Sequence, residues 1–426
     1  MRTVDVSVLW FSLGVGLLVL AAGTILVSGF GLSMAEVIVV TIAGSILGSL
    51  LLAAAALPGT DHGVPTMVSL RPVLGVRGSY VPTALNVVTL MGWAAFELLI
   101  MGLVGATLTG LSPLLLIPVF GAVVALLAVG GPIAVVRHWL ERFAIWLVVG
   151  STVWIIAQLA VRPIDWSAGL GFGASPASLL LALDLVVVLP VSWWPLVADY
   201  NRFARRRQDG TAGTLIGYSI ANTVFFVLGA ALQIVAIQQG YADFVVAIAA
   251  LNLGLLALVF ILVDETDNAF ANVYSTAVSM QNAFSRQRQL PFIVGATVVA
   301  VEIAIFLQFA YPTPSLALGS GYYTFLLVIG GLFVPLLGIL AADHFGVRRG
   351  SYRAEEFSGR GPSVRPAAFI AWIPAALLYF GLSPAAGWFP WFPPTGATLP
   401  SFAAAEGIYL AVTWVENRAR ARATVP

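Results

Sequence analysis

The sequence predicts an all-α integral membrane protein of twelve transmembrane helices, and three observations carry that reading. Of the 426 residues, 60% are hydrophobic and only 9% are charged, against about 25% charged in soluble domains; mean hydropathy is +0.97. Apolar runs near the ~20 residues needed to cross ~30 Å of hydrocarbon recur along the whole chain, so the spans are helices and not barrel strands. All 20 basic residues are arginine, and they cluster in alternate connections between those runs.

In chain order the spans fall at 6–28, 33–58, 81–109, 113–133, 139–161, 177–202, 211–238, 251–282, 291–311, 320–343, 365–382 and 399–417. The even number puts both termini on one side, and basic residues near span ends stay cytoplasmic. With the N-terminus inside, Arg71, Arg77, Arg137, Arg142, Arg286, Arg288 and the arginines of 202–207, 348–365 and 418–422 all lie inside, and only Arg162 lies outside. The expected location is the cell membrane, multi-pass, with both termini cytoplasmic. Residues 1–426 form one transmembrane domain, since no soluble domain fits between spans.

The first segment, "VLWFSLGVGLLVLAAGTILV", lacks a strong basic leader and runs at once into a second span without a cleavage context, so it reads as a retained helix. The absence of cysteine excludes disulfides, thiolate metal sites and cysteine nucleophiles. His62, His138 and His344 lie in connections or at a span end. Neither H-E-x-x-H nor G-x-S-x-G occurs, so the chain is not expected to be an enzyme or to need a cofactor. A net charge of +1 points to no nucleic-acid partner. No obligate protein partner is evident; the lipid bilayer is the expected surrounding.

Ionisable groups at membrane depth cost ~2.5 to 3.5 kcal/mol on insertion scales, so each points to a cavity, an ion path or a pair. In span three Asn86, Thr89, Trp93 and Glu97 recur at offsets of 3, 4 and 4 and share one helical face. A flat heteroaromatic ligand could stack on Trp93 while its N–H groups donate to Glu97. The bland alternative is an interfacial Trp with Glu97 paired elsewhere.

Span six carries Pro190 and Pro195 around Ser192, Trp193 and Trp194. Two missing donors and two ring clashes break or kink this helix near mid-membrane, where freed peptide groups are tolerated only against protein or a cavity. Asp199 and Arg202 are expected to pair at its end. Span one is weakened by Gly14 and Gly16. Interruptions five spans apart are the mark of a transporter built from inverted repeats, although glycines in membrane helices also mark close packing.

Span eight holds "LVDETDNAFAN", with Asp264, Glu265 and Asp267 just after an oily run. A continuous helix from 243 to 285 would be ~64 Å long, so "YADFVVAIAALN" is expected to be a separate external helix. The acids then sit well inside the membrane, with Asn268 and Asn272 one turn apart on one face.

The segments "GVRGSYVPTALNVVTLMGWAAFEL", "SWWPLVADYNRFAR", "DNAFANVYS" and "FVPLLGILAADHFGVRRG" resemble the signature segments of the nucleobase-cation-symport-1 family, in order and spacing, from Leu9 to Gly350. The resemblance implies a leucine-transporter-like fold: inverted five-helix repeats at 6–161 and 177–343, with two extra helices at 365–417. It implies a secondary active symporter that imports a small planar nitrogen heterocycle, such as cytosine, a purine or hydroxymethylpyrimidine. The substrate would lie between broken helices one and six and helices three and eight. That places Trp93, Glu97, Gly16, Ser192, Trp193, Asn268 and Asn272 around it.

The family's sodium site falls on Thr266 and Asp267, with carbonyls of Val263, Ser12 and Val15. Asp267 departs from the family's second hydroxyl, so the coupling ion could be Na+ or H+. An acidic reader at Glu97 suits donor-rich ligands such as a 4-aminopyrimidine. An amino-acid or amine symporter of the same architecture is the alternative.

Overall fold

The computed structural model describes residues 1–135, 143–166, 171–313, 321–383 and 396–423, with side chains to 419. Arg137, Arg142, His138, the opening of the fifth segment at 139–142, residue 320 and the side chains of Arg420 and Arg422 lie outside the described residues.

A helix occupies each of the twelve expected segments. The first is split into α1 (Thr3–Leu13) and α2 (Leu17–Ser28), which meet at 60°. There follow α3 (Met34–His62), the short α4 (Thr66–Ser69) and α5 (Arg71–Leu74), α6 (Tyr80–Thr109), α7 (Pro113–Gly130), α8 (Pro132–Val135) and α9 (Ile145–Ala160). The sixth segment is α10 (Pro176–Ser192), a 3-10 turn at Trp194–Leu196 and α11 (Val197–Asn201). Next come α12 (Arg207–Gln239), α13 (Phe244–Ala249), α14 (Gly254–Ala283), α15 (Gln289–Ala310) and α16 (Tyr322–Ala341), which runs on as a π-helical turn to Val347. The short α17 (Ala354–Phe357), then α18 (Pro366–Leu382) and α19 (Thr398–Ala423), complete the chain. Among the described residues, seven helical stretches, Pro176–Asn201 counted as one, are long and apolar enough to cross a membrane, and the bent α1–α2 pair makes an eighth.

Each interruption has a local cause. Gly16 sits at φ 152° and ψ 167°, and a Cβ there would lie 2.9 Å from Asn268 Nδ2 and 3.0 Å from Glu265 Oε2. Only glycine lets the chain pass so close to α14. In the sixth segment Pro190 and Pro195 remove two backbone donors, and the helix tightens after Ser192 into the 3-10 turn that contains Pro195 and leads to α11. The external helix also forms separately. Asp243 caps α13 by accepting from Val246 N at 3.0 Å, and Leu253 at φ +53° turns the chain into α14.

α14 is the centre of the molecule. It packs against α6, α7, α9 and α15 and also touches α1 and α2, and every residue from 264 to 279 is buried. A helix covered all round can carry polar groups only where neighbours satisfy them.

The arginine-rich connections gather at one end. Arg71 donates to the Asn282 side chain and carbonyl at 2.9 Å each, Arg207 pairs with Asp61 at 3.5 Å, and the backbone at 74–78 bonds to that at 362–365. Arg162 lies at the other end, donating to Ala250 O at 2.6 Å. The expected Asp199–Arg202 pair does not form. Asp199 Oδ1 accepts from Thr66 N at 3.0 Å, and Arg202 donates to Tyr274 Oη at 3.3 Å. A helix N-terminus and a phenol reach one atom of each group, while Asp199 Oδ2 and Arg202 Nε stay buried without a hydrogen-bond partner.

Candidate substrate and cation site

Breaking a helix frees N–H groups at one cut end and carbonyls at the other. At the α1–α2 break both are taken up by side chains of α14. Leu17 N donates to Glu265 Oε2 at 2.7 Å, which puts a carboxylate on the N-terminus of α2. Asn268 Nδ2 donates to Val15 O at 2.7 Å. Residues 265 and 268 stand three apart on α14 and so share the face turned to the break.

A cavity of ≈ 10 Å³ lies there, about the room that a single water needs. Val15 and Gly16 line it from the break, Trp93 and Glu97 from α6, Trp193 from the sixth segment, Glu265 and Asn268 from α14, and Tyr322 from α16. Leu13, Leu18, Val19 and Leu189 supply the apolar remainder. The Trp93 ring meets Tyr322 and Phe325 edge-on at 5.9 and 5.3 Å, and Trp193 meets Trp10 edge-on at 6.3 Å. Edge contacts of this kind fix the two indoles as aromatic walls. Trp194 turns away and donates to Phe333 O at 3.0 Å, so Trp193 is the aromatic of the sixth segment that reaches the cavity.

The Glu97 and Glu265 carboxyl groups lie side by side within hydrogen-bonding reach. Glu97 is 3% exposed and Glu265 0%, and no arginine lines the cavity. A second acidic group lies next to it on α14. Ser12 Oγ donates to Asp264 Oδ1 at 3.0 Å, and Asp267 lies close to the same serine without a well-formed bond to either of its oxygens. Asp264 Oδ2 is likewise buried and unpartnered.

The sequence-expected residues divide. Trp93, Glu97, Gly16, Trp193 and Asn268 meet at the cavity, with Ser12, Val15 and Asp267 at or beside the break. Ser192 and Asn272 are not part of its wall. Ser192 Oγ donates to Leu189 O at 2.6 Å, and Asn272 Nδ2 donates to Asn268 O at 3.0 Å. Thr266 Oγ1 donates to Val263 O at 2.7 Å within α14, so that hydroxyl and that carbonyl satisfy each other. The side chains that reach the break are those of Asp264, Glu265 and Asn268.

Glu265, Asp264 and Tyr322 were not among the expected site residues. Glu265 carried a readable signal, because it stands 3 and 7 residues before Asn268 and Asn272 and shares their face. Tyr322 had none, being one aromatic among several at the start of a span. Asn86, on the face of α6 that carries Trp93 and Glu97, ties α6 to α14 through Ser279 Oγ at 3.0 Å.

An all-helical bundle whose interrupted helices meet a buried polar helix at a closed central cavity defines the class, a membrane transporter. The family described as permease for cytosine/purines, uracil, thiamine and allantoin matches residues 1–401. The chain belongs to this family, the nucleobase-cation-symport-1 permeases. It is 25% identical over 381 residues to the cytosine permease of Escherichia coli strain K12, covering 87% of this chain and 83% of that one. With the allantoin permease of Bacillus subtilis strain 168 it shares 24% over 357 residues, 75% of this chain and 70% of the other.

The fold is that of Mhp1, a nucleobase-cation-symport-1 family transporter solved in a closed conformation with bromovinylhydantoin bound. The TM-score is 0.77 at 20% identity, covering 98% of this chain and 93% of that one. MhsT, solved in complex with L-phenylalanine, gives 0.61 at 13% identity over 96% and 98% of the two chains. The architecture is therefore leucine-transporter-like.

Proposed function

We propose that the chain is a secondary active symporter importing a small planar nitrogen heterocycle, a nucleobase such as cytosine or a purine or an aminopyrimidine such as hydroxymethylpyrimidine. The observation that carries this reading is the cavity between Trp93 and Trp193, with Glu97, Glu265 and Asn268 as its polar side. Two indoles suit a flat ring, and the polar groups suit its heteroatoms. The names of the permease relatives support the same substrate class.

The cavity is far smaller than the ~300 Å³ or more of open ligand sites, so loading requires the helices around it to part. Alternating access supplies that motion, with repeat one at 6–161 and repeat two at 177–343 moving around a fixed midplane site. The breaks in segments one and six, five spans apart, support this pairing, with 365–417 outside the repeats. The clustering of arginine connections at one end supports placement in the cell membrane with both termini cytoplasmic.

Coupling is to Na+ or H+. Ser12, Asp264 and Asp267, beside the freed backbone at Val15, form an all-oxygen donor set suited to a hard cation, and the unpartnered carboxylate oxygens equally suit a carried proton. An ion bound there would fasten α1 to α14 beside the substrate.

The amino-acid reading fares less well. In this architecture the substrate carboxylate is met by a half-helix N-terminus, and here Glu265 already holds that position on α2. Uptake decides the matter. Cells expressing the protein should concentrate labelled cytosine, adenine or hydroxymethylpyrimidine, and an ionophore should abolish the gradient. Equilibration without concentration would contradict symport.

A further inference from the structure

The α6 and α14 side of the cavity is built mainly from acceptors. Glu97 Oε2, Glu265 Oε1 and Asn268 Oδ1 are all buried and receive no hydrogen bond. One of the two Asn268 amide N–H bonds is held by Val15 O, and the Leu17 N–H of the break is spent on Glu265 Oε2. Asn268 is 3% exposed and Tyr322 0%, both face the cavity, and the Tyr322 hydroxyl also lacks a partner. Carboxylate oxygens in such a place cannot remain unsatisfied without cost. A proton held between the touching Glu97 and Glu265 groups is used up between two of their oxygens and leaves the others as acceptors.

We propose that Glu265, together with Glu97, selects heterocycles that turn the two N–H bonds of an exocyclic amino group to the carboxylates. The inference rests on the heterocycle reading above and narrows it to the amino-substituted members. A ring carbonyl turned the same way would set its oxygen against the carboxylates, away from any donor that the two acids themselves offer, with the Tyr322 hydroxyl left to meet a ring acceptor. Replacing NH2 by C=O therefore leaves an acceptor facing an acceptor, a mismatch that polar sites reject by large factors. The Asn268 carbonyl oxygen supplies a third acceptor on the same helical face as Glu265.

Two pairs of rings differ by this exchange, with the neighbouring ring nitrogen gaining a hydrogen in the oxo member: cytosine against uracil, and adenine against hypoxanthine. The experiment is competition of all four for labelled cytosine and adenine on the purified full-length protein. The amino member of each pair should bind at least about 100-fold more tightly. Glu265→Gln keeps an acceptor for Leu17 N and adds a donor, so the preference should fall below about 10-fold, mainly through better binding of the oxo member.

Equal binding within each pair, or preference for the oxo member, would overturn the inference while leaving the heterocycle reading intact. Binding of none of the four, with hydroxymethylpyrimidine also failing to bind, would overturn both. An unchanged preference in a Glu265→Gln protein of wild-type thermal stability would remove Glu265 from the selection. Should that variant fail to fold, the wild-type ratio alone decides the donor-edge claim.

Discussion

The two interrupted segments solve one problem in different ways. Between α1 and α2 the chain bends by 60°, and the freed peptide groups at Val15 and Leu17 are met by side chains of a different helix, Asn268 and Glu265 of α14. Between α10 and α11 the chain narrows into a 3-10 turn. It is met by its own backbone, with Trp193 N bonding Pro190 O and Leu196 N bonding Trp193 O, and by neutral side chains of other elements, with Asn86 Nδ2 donating to Pro195 O at 3.3 Å and Ala198 N to Thr66 Oγ1 at 2.9 Å. The first break depends on long-range partners and gathers carboxylates around itself. The second is set by local prolines and contributes an aromatic wall. Chemistry is thus concentrated at one break and shape at the other.

Substitutions at each break should separate these roles. The largest effect is expected from Gly16→Ala, because its Cβ would sit 2.9 Å from Asn268 Nδ2 and 3.0 Å from Glu265 Oε2 at a φ of 152°. Heterocycle binding should fall by more than about 100-fold, as both helix-end contacts and the cavity wall are displaced, a mismatch of a few kcal/mol. Near-normal affinity would show that the close approach is not needed.

Trp93→Ala and Glu97→Gln come next. Each should cost binding at least about 10-fold while the protein still folds, since each removes one wall or one acceptor. Unchanged affinity in both would remove α6 from the site. Asn268→Ala should lower thermal stability by about 1 to 3 kcal/mol through the buried Val15 carbonyl it leaves bare, with a parallel loss of affinity. A matching loss in Pro195→Ala would contradict the contrast drawn here, because the second break is expected to tolerate that change with less than about tenfold loss of affinity. The smallest effect, about 1 kcal/mol of stability and little change in binding, is expected for Trp194→Phe, which loses one hydrogen bond to Phe333 O outside the cavity.

Much of this was legible in the sequence because membrane solvation imposes simple rules. Span length and arginine spacing placed a helix in every segment, and the family segments placed Trp93, Glu97, Trp193 and Asn268 near one another. What was not legible depended on which side chain reaches a freed peptide group first. Glu265 and Asn268 lie on the face of α14 turned to the break, whereas Thr266, one residue round the helix, bonds to its own backbone. Asn272, a further turn along, spends its amide on Asn268 O. Ser192 behaves in the same way on Leu189 O. Short hydroxyl side chains in a helix find a carbonyl three or four residues back at no cost, and sequence position alone does not show when they do. The Asp199 contact with Thr66 N was hidden for a related reason, as it joins residues 133 apart in sequence.

The central claim is that the ligand sits between Trp93 and Trp193 with its donors on Glu97 and Glu265. A structure of the full-length protein with bound cytosine or adenine tests it directly. The account predicts the ring between the two indoles, with an N–H group within about 3.2 Å of a carboxylate oxygen of both acids. A ring bound elsewhere, or one turning a carbonyl to Glu265, would contradict it.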